Sequence, residues 1–249
     1  MLWHMPRRSV FIPELFLGLL SLAVAAVWIG QIFAGTIHDA RHTQDTVTIT
    51  GSAHTPIASN LVQWSLSVQG SAATPVAAAR RLRGESTAVT AFLRGAGIPN
   101  GAVQPQVVQT DVEVRQLGKH RTRTIYHASQ GFFVSSKQLN LIQAAASQVG
   151  SLLERGIAVT ADPLAFISTD LERAKLDALV AATAEARKRA DILVKGLGGK
   201  LGPMRASSLG VYQITPRNST NVSDYGINDT TSRLEDVTAV VSATFAVKR

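Results

Sequence analysis

Residues 60–97 read NLVQWSLSVQGSAATPVAAARRLRGESTAVTAFLRGAG, and within them the hydrophobic period changes once. Val62, Trp64, Leu66 and Val68 alternate with Gln63, Ser65, Ser67 and Gln69, the two-residue period of a strand with one buried face. Past Gly70, the positions Val76, Ala79, Leu82, Ser86, Val89 and Phe92 recur every three or four residues, while Arg80, Arg81, Arg83 and Glu85 fall off that stripe. Thr74-Pro75 supplies an N-cap and a proline at the first helical position, and Gly95, Gly97 and Pro99 end the helix. The chain therefore mixes strands and helices, and the question is how they alternate.

Upstream, Val47 and Ile49 form a short strand, followed by Gly51 and a turn containing Pro56. Downstream, residues 103–116 and 123–135 read as a long hairpin, with Val108, Thr110, Val112 and Val114 alternating against Gln109, Asp111 and Glu113. Its tip carries Lys119, His120, Arg121 and Arg123, a charged cluster expected to be solvated. Ser136 caps a second helix over residues 137–148, packing through Leu139, Ile142 and Ala146 and stopping at Gly150, and a short strand follows at 157–160. Thr169-x-x-Glu172 has the form of a capping box. It opens a long helix with Leu171, Ala174, Ala178, Ala182, Ala186, Ala190, Leu193 and Leu197 on one stripe. Gly196, Gly198 and Gly199 end it, and the last strands are 207–215 and 234–247. Between those strands lies the polar segment 216–233, long enough to be functional or mobile. The resulting order is ββαββαβαββ. It has too few helices for a doubly wound parallel sheet and predicts an α+β fold, one antiparallel-rich sheet with helices on one face.

Ahead of this domain, residues 10–33 read VFIPELFLGLLSLAVAAVWIGQIF, with no charge over 15–29. That length spans a bilayer, and Arg7 and Arg8 before it place the amino terminus in the cytoplasm. The organisation expected is a cytoplasmic tail over 1–9, a transmembrane anchor over 10–33, a linker over 34–45 and one domain over 46–249. The competing reading is a cleaved signal peptide, for which Ala23-Val24-Ala25-Ala26 offers the small residues. His38 and His42 are spaced for a metal on a helix but lack a third ligand, and read as linker residues.

The 249 residues carry 25 basic and 17 acidic side chains, a net charge of +8; setting aside Arg7, Arg8 and Glu14 leaves +7 from Ala34 onward. The longest basic run, Arg187-Lys188-Arg189, sits on the long helix and fans around it, with no interleaved aromatics, so no nucleic-acid partner is expected. There is no cysteine, which excludes disulfides, thiolate catalysis, iron–sulfur ligation and a lipoprotein cysteine. His54, His120 and His127 match no metal spacing, and no G-x-S-x-G elbow, Walker loop or Rossmann glycine pattern occurs. Asp111 and Glu113 share a strand face, as an acid–base pair could, but alternating polar residues on a solvated face explain them equally well. The glycines of 196–202 follow a helix and read as a C-cap rather than a phosphate cradle. Asn218-Ser219-Thr220, Asn221-Val222-Ser223 and Asn228-Asp229-Thr230 fit the glycosylation acceptor pattern, which this loop's composition produces unaided. No catalytic, cofactor-binding or metal-binding residues are assigned, and no cofactor is expected.

The run AEARKRADIL at 184–193, leading to GLGGKLG at 196–202, resembles the SIMPL-domain family, as do VTITG at 47–51 and Gln109-Thr110 before a polar hairpin. The likeness covers about residues 46–248. Ala53 stands where the family often has a second glycine, and Ser59-Asn60 replaces a usual Pro-Asp. The resemblance implies a bacterial exported domain of poorly defined activity, linked in some members to envelope or oxidative stress and capable of self-assembly. With the anchor, it implies a single-pass inner-membrane protein, its domain in the periplasm. The expected role is non-enzymatic binding of an envelope partner or a second copy of the chain. The alternative is a hydrolase or small-ligand-binding protein.

Overall fold

The computed structural model describes residues 45–118 and 120–248. The expected anchor at 10–33, the tail, His38, His42 and Lys119 lie outside them. In chain order the elements are β1 (Thr46–Ala58), β2 (Leu61–Ala72), α1 (Pro75–Gly95), a 3-10 turn (Asn100–Ala102), β3 (Val103–Pro105), β4 (Gln109–Gly118) and β5 (Arg121–Ser136). There follow α2 (Leu139–Ser147), α3 (Gly150–Glu154), β6 (Val159–Ala161), β7 (Ala165–Ile167) and α4 (Leu171–Gly196). The chain closes with β8 (Lys200–Leu209), β9 (Gln213–Pro216), β10 (Ile227–Asn228) and β11 (Leu234–Lys248). The fold is α+β and antiparallel-rich, as the order of periods predicts. It departs from the expected single sheet: the strands form a six-stranded sheet ordered β3-β5-β2-β6, with β4 also on β5 and β7 also on β2, and a five-stranded sheet ordered β1-β11-β9-β10, with β8 on β11.

By contacts the described chain divides into two units. The larger comprises Gly51–Glu185 and Leu209–Val241. Its main core is Val62, Trp64, Leu66 and Val68 of β2 with Ala128, Phe132 and Val134 of β5. Leu82, Val89 and Leu93 of α1 and Ile142 and Leu152 of α2 and α3 cover that face. Thr74 Oγ1 accepts the Ala77 N–H at 3.3 Å, with Pro75 starting α1 as expected. The buried stripe of α1 is Ala78, Leu82, Val89 and Leu93, rotated from the sequence reading; Val76 is 70% exposed. Gly70 sets this rotation, because a Cβ there would lie 2.5 Å from the Ala78 carbonyl oxygen. The helix backbone rests directly on the strand. A second core in this unit joins Ala174, Ala178 and Ala182 of α4 to Ile57, Ile214, Val237, Ala239 and Val241.

The smaller unit holds the described part of Met1–Thr50 with Ala186–Ser208 and Ser242–Arg249. Here Ala186 and Ala190 pack on Ala243 and Phe245, flanked by Val47, Ile49 and Leu201. Gly202 leaves room for the close approach of β8 to β11, since a Cβ there would be 2.9 Å from the Ala246 carbonyl oxygen. Val194, not Leu193, continues the alanine stripe. Successive steps of four residues turn about 40° on a 3.6-residue helix, which carries the line past Leu193 and leaves Leu197 81% exposed.

Further differences have local causes. Pro56 lies inside β1, not in a turn, because β1 is an edge strand where proline costs no ladder bond. The strand expected at 103–116 is broken between β3 and β4, where the Gln106 N–H turns to the Gly131 carbonyl. The strand expected at 207–215 divides into β8 and β9, and β8 begins at Lys200 with no alternating pattern because most of it is exposed. Gly150 starts α3 instead of ending the second helix. The box read at Thr169 and Glu172 is not made: Thr169 Oγ1 accepts from Asn60 Nδ2 at 2.8 Å and Glu172 pairs with Lys175 at 2.7 Å. The 216–233 segment holds β10, parallel to β9. Gln213 fastens it by bonding both the N–H and the carbonyl of Ser223.

Candidate functional site

Three surfaces of the larger unit gather chemistry. The first is an arm. β5 pairs with β2 from Tyr126 to Ser136, but from Arg121 to Ile125 its partner is β4 alone. On the helix-side face of β4, Val112 and Val114 are 50% and 65% exposed; Val108, just before the strand, is 46% exposed and Leu117 near its end is 56% exposed. The outer edge of β4 has no strand beside it among the described residues. An isolated two-stranded ribbon with exposed valines is marginal in water, so this arm presents both unpaired backbone and apolar surface. The basic tip is solvated as expected at His120, Arg121 and Arg123.

The opposite face of the arm is polar. Register sets Ser71 and Asp111 on either side of His127. Ser71 Oγ meets His127 Nδ1 at 2.8 Å, and His127 Nε2 meets Glu113 Oε2 at 3.3 Å. Arg115 donates to Glu113 Oε1 through Nε at 3.0 Å and through a terminal nitrogen at 2.8 Å. Arg115, and after it His127, hold the Glu113 carboxyl below its ordinary range. A serine, a histidine and a carboxylate thus stand in one row, an arrangement that needs strand register and so is invisible in the sequence. The row lies on an open sheet face, and its carboxylate is already engaged by a guanidinium. It lacks the enclosed, water-excluding surroundings in which such a row activates a hydroxyl.

The third surface is a groove of about 560 Å³ between α1 and β5, with Leu82, Pro105, Val108 and Phe132 among its walls. A smaller hollow of about 270 Å³ continues it past Arg94 toward Ile98 and Val103. Ser86 Oγ donates to Gln130 Oε1 at 2.8 Å, and Gln130 Nε2 to the Gln106 carbonyl at 3.2 Å, which fixes one wall. Arg83 and Arg94 line the groove with no ion pair among the described residues, and no acidic side chain lines it. The break between β3 and β4 opens it, and sequence periodicity gives no sign of that break. Among the described residues no group of three or more His, Cys, Asp or Glu side chains could hold a metal.

Residues 47–245 match the model of the SIMPL family, described as proteins of unknown function (DUF541). The chain belongs to this family. No curated protein matches it. In this SIMPL protein the matched span runs from the start of β1 almost to the end of β11, so arm, row and groove all lie within the family domain.

Proposed function

We propose that the protein is a non-enzymatic envelope protein, anchored in the inner membrane through residues 10–33, whose periplasmic SIMPL domain assembles with a second copy through β4. Its role is in the response to envelope or oxidative stress. The uncovered edge and valines of β4 carry the assembly reading. Antiparallel pairing of two copies about Glu113 would set Asp111 opposite Arg115 and Val112 opposite Val114, both favourable cross-strand pairs, while the two Glu113 carboxylates that face each other are each engaged by the Arg115 of their own strand. An envelope protein adding its own strand at this edge is the second occupant the same surface suits. Membrane placement draws on the length of 10–33 and the preceding arginines. Among the described residues no helix is long and apolar enough to cross a membrane.

Size-exclusion chromatography with light scattering tests the assembly. The full chain is expected to run as a dimer or larger species that Val112→Asp with Val114→Asp converts to monomer. A monomeric parent protein, with no partner crosslinked in intact cells, would remove the reading. A second reading, small-ligand binding, is favoured by the groove between α1 and β5. Its apolar walls, with Arg83 and Arg94 in no ion pair among the described residues, suit an apolar chain with an anionic end. Displacement of a fluorescent fatty acid, weakened by Arg94→Ala, is its test.

A further inference from the structure

The basic excess of the chain is not spread evenly. Over Gly51–Glu185 and Leu209–Val241, the larger unit, 14 basic side chains stand against 13 acidic ones, a net charge of +1. Over 45–50, 186–208 and 242–248, in the smaller unit, seven basic residues stand against Asp45 and Asp191 alone, a net charge of +5. No acidic residue occurs anywhere from 192 to 223. A surplus of this sign gathered in so short a length of chain suits an anionic partner.

The end of α4 decides what accompanies that charge. Here the Gly199 N–H returns to the Val194 carbonyl at 2.9 Å, and Gly199 lies against the end of β11, since a Cβ there would be 3.2 Å from the Lys248 carbonyl oxygen. β11 in turn holds the start of β1, the Val247 N–H donating to the Asp45 carbonyl at 2.8 Å. The last turn of α4, the end of β11 and the start of β1 therefore meet at one end of the smaller unit. Beside them Ile192, Leu193 and Leu197 are 62%, 44% and 81% exposed. Lys188 precedes Ile192 by one helical turn, Lys195 follows it by one, and Lys200 opens β8 just past Leu197. Lys195 is paired with Asp191 at 2.7 Å, whereas Lys188 and Lys200 make no ion pair among the described residues. In water this mixture is unfavourable twice over, because apolar surface stays wet and like charges repel.

Eleven residues, 34–44, separate Asp45 from the apolar stretch 10–33, and fully extended they reach about 40 Å. With that stretch in a bilayer, this end of the smaller unit is the part of the domain tied most directly to the lipid. We propose that it rests on an anionic phospholipid surface, with Ile192, Leu193 and Leu197 in the interfacial layer and Lys188 and Lys200 on headgroup phosphates. A soluble polyanion would satisfy the lysines and leave the apolar side chains wet. A neutral bilayer would do the reverse. The nearness of the bilayer rests on the membrane placement proposed above, but the surface binds anionic lipid whether or not residues 10–33 are retained.

The chain has no cysteine, so Leu197→Cys carries an environment-sensitive fluorophore to one known position. The labelled full chain is freed of detergent in the presence of vesicles, either of phosphatidylcholine alone or equimolar with phosphatidylglycerol. In the anionic vesicles the emission is expected to shift to the blue and to be quenched by brominated lipid, and in phosphatidylcholine alone to do neither. Lys188→Glu with Lys200→Glu, both on exposed positions, should reduce the shift severalfold. A fluorophore at Val222→Cys, 82% exposed in the nearly neutral larger unit, should respond to neither lipid. Retention on phosphatidylcholine vesicles in high salt reports the anchor separately, since salt screens the lysines and leaves a spanning helix in place. Loss of retention together with a blue shift on anionic vesicles would remove the anchor and uphold the surface. Emission at 197 that is the same in both lipids, that matches the Val222 probe or that ignores the charge reversal would overturn the surface.

Discussion

β5 is one continuous strand that lives in two environments. From Ala128 to Val134 its helix-side residues Ala128, Phe132 and Val134 are 3%, 3% and 0% exposed, with β2 on one side and α1 above. From Arg121 to Ile125 it has β4 alone, and Val114 opposite Thr124 is 65% exposed, as Val112 is 50% exposed opposite Tyr126, the last residue that β2 reaches. The backbone geometry is the same, so strand propensity does not distinguish the halves. What differs is burial: the first half holds the domain together, and the second offers surface to something else.

Substitutions in the two halves should separate stability from association. The largest effect should come from Phe132→Ala, which removes a ring only 3% exposed beneath the groove and is expected to cost about 3–5 kcal/mol in urea unfolding. Gly70→Ala should follow, at about 3 kcal/mol, because its Cβ meets the backbone of α1 at Ala78 and Leu82 and neither can step aside. A loss below about 1 kcal/mol at either position would mean that this face is packed loosely, and the contrast with the arm would fade.

These two positions also show how far the sequence can be read. The alternation of Val62 to Val68 and the start of α1 at Thr74-Pro75 are local patterns, and each appears where expected. The rotation of α1 onto Ala78 is set by Gly70, a contact between elements that no helical period contains. The row of Ser71, His127 and Glu113 needs register across three strands, and the α1–β5 groove needs the break at Gln106. Most of β8 carries no alternation because its residues are exposed, so periodicity does not mark it as a strand.

A smaller effect concerns a buried residue that breaks the apolar rule. Glu235 is 3% exposed at the start of β11, and its Oε1 has no hydrogen-bond partner. Burial first, and the Asp229 carboxylate second, push its carboxyl up from 4.5 to about 7. Between those values the folded chain keeps a proton that the unfolded chain has released, so stability falls as pH rises through the window. Glu235→Leu should flatten that slope, gaining about 1–2 kcal/mol at pH 8 and little at pH 4, read as urea midpoints at the two pH values. A slope unchanged by the substitution would place the cause elsewhere. The smallest effect on the stability of the monomer belongs to the arm: in protein dilute enough to be dissociated, Val112→Asp with Val114→Asp should alter unfolding by no more than about 0.5 kcal/mol, since both side chains meet water in the single chain.

Photo-crosslinking in intact cells distinguishes a docking edge at β4 from an idle one. The reactive residue is placed at Val112 on the arm and, for comparison, at Val180, which is 70% exposed on α4. A discrete adduct is expected from Val112, identified by mass spectrometry as a second copy of this chain or one envelope protein, and none from Val180. Equal labelling at both positions, or no adduct at Val112, would contradict docking at β4.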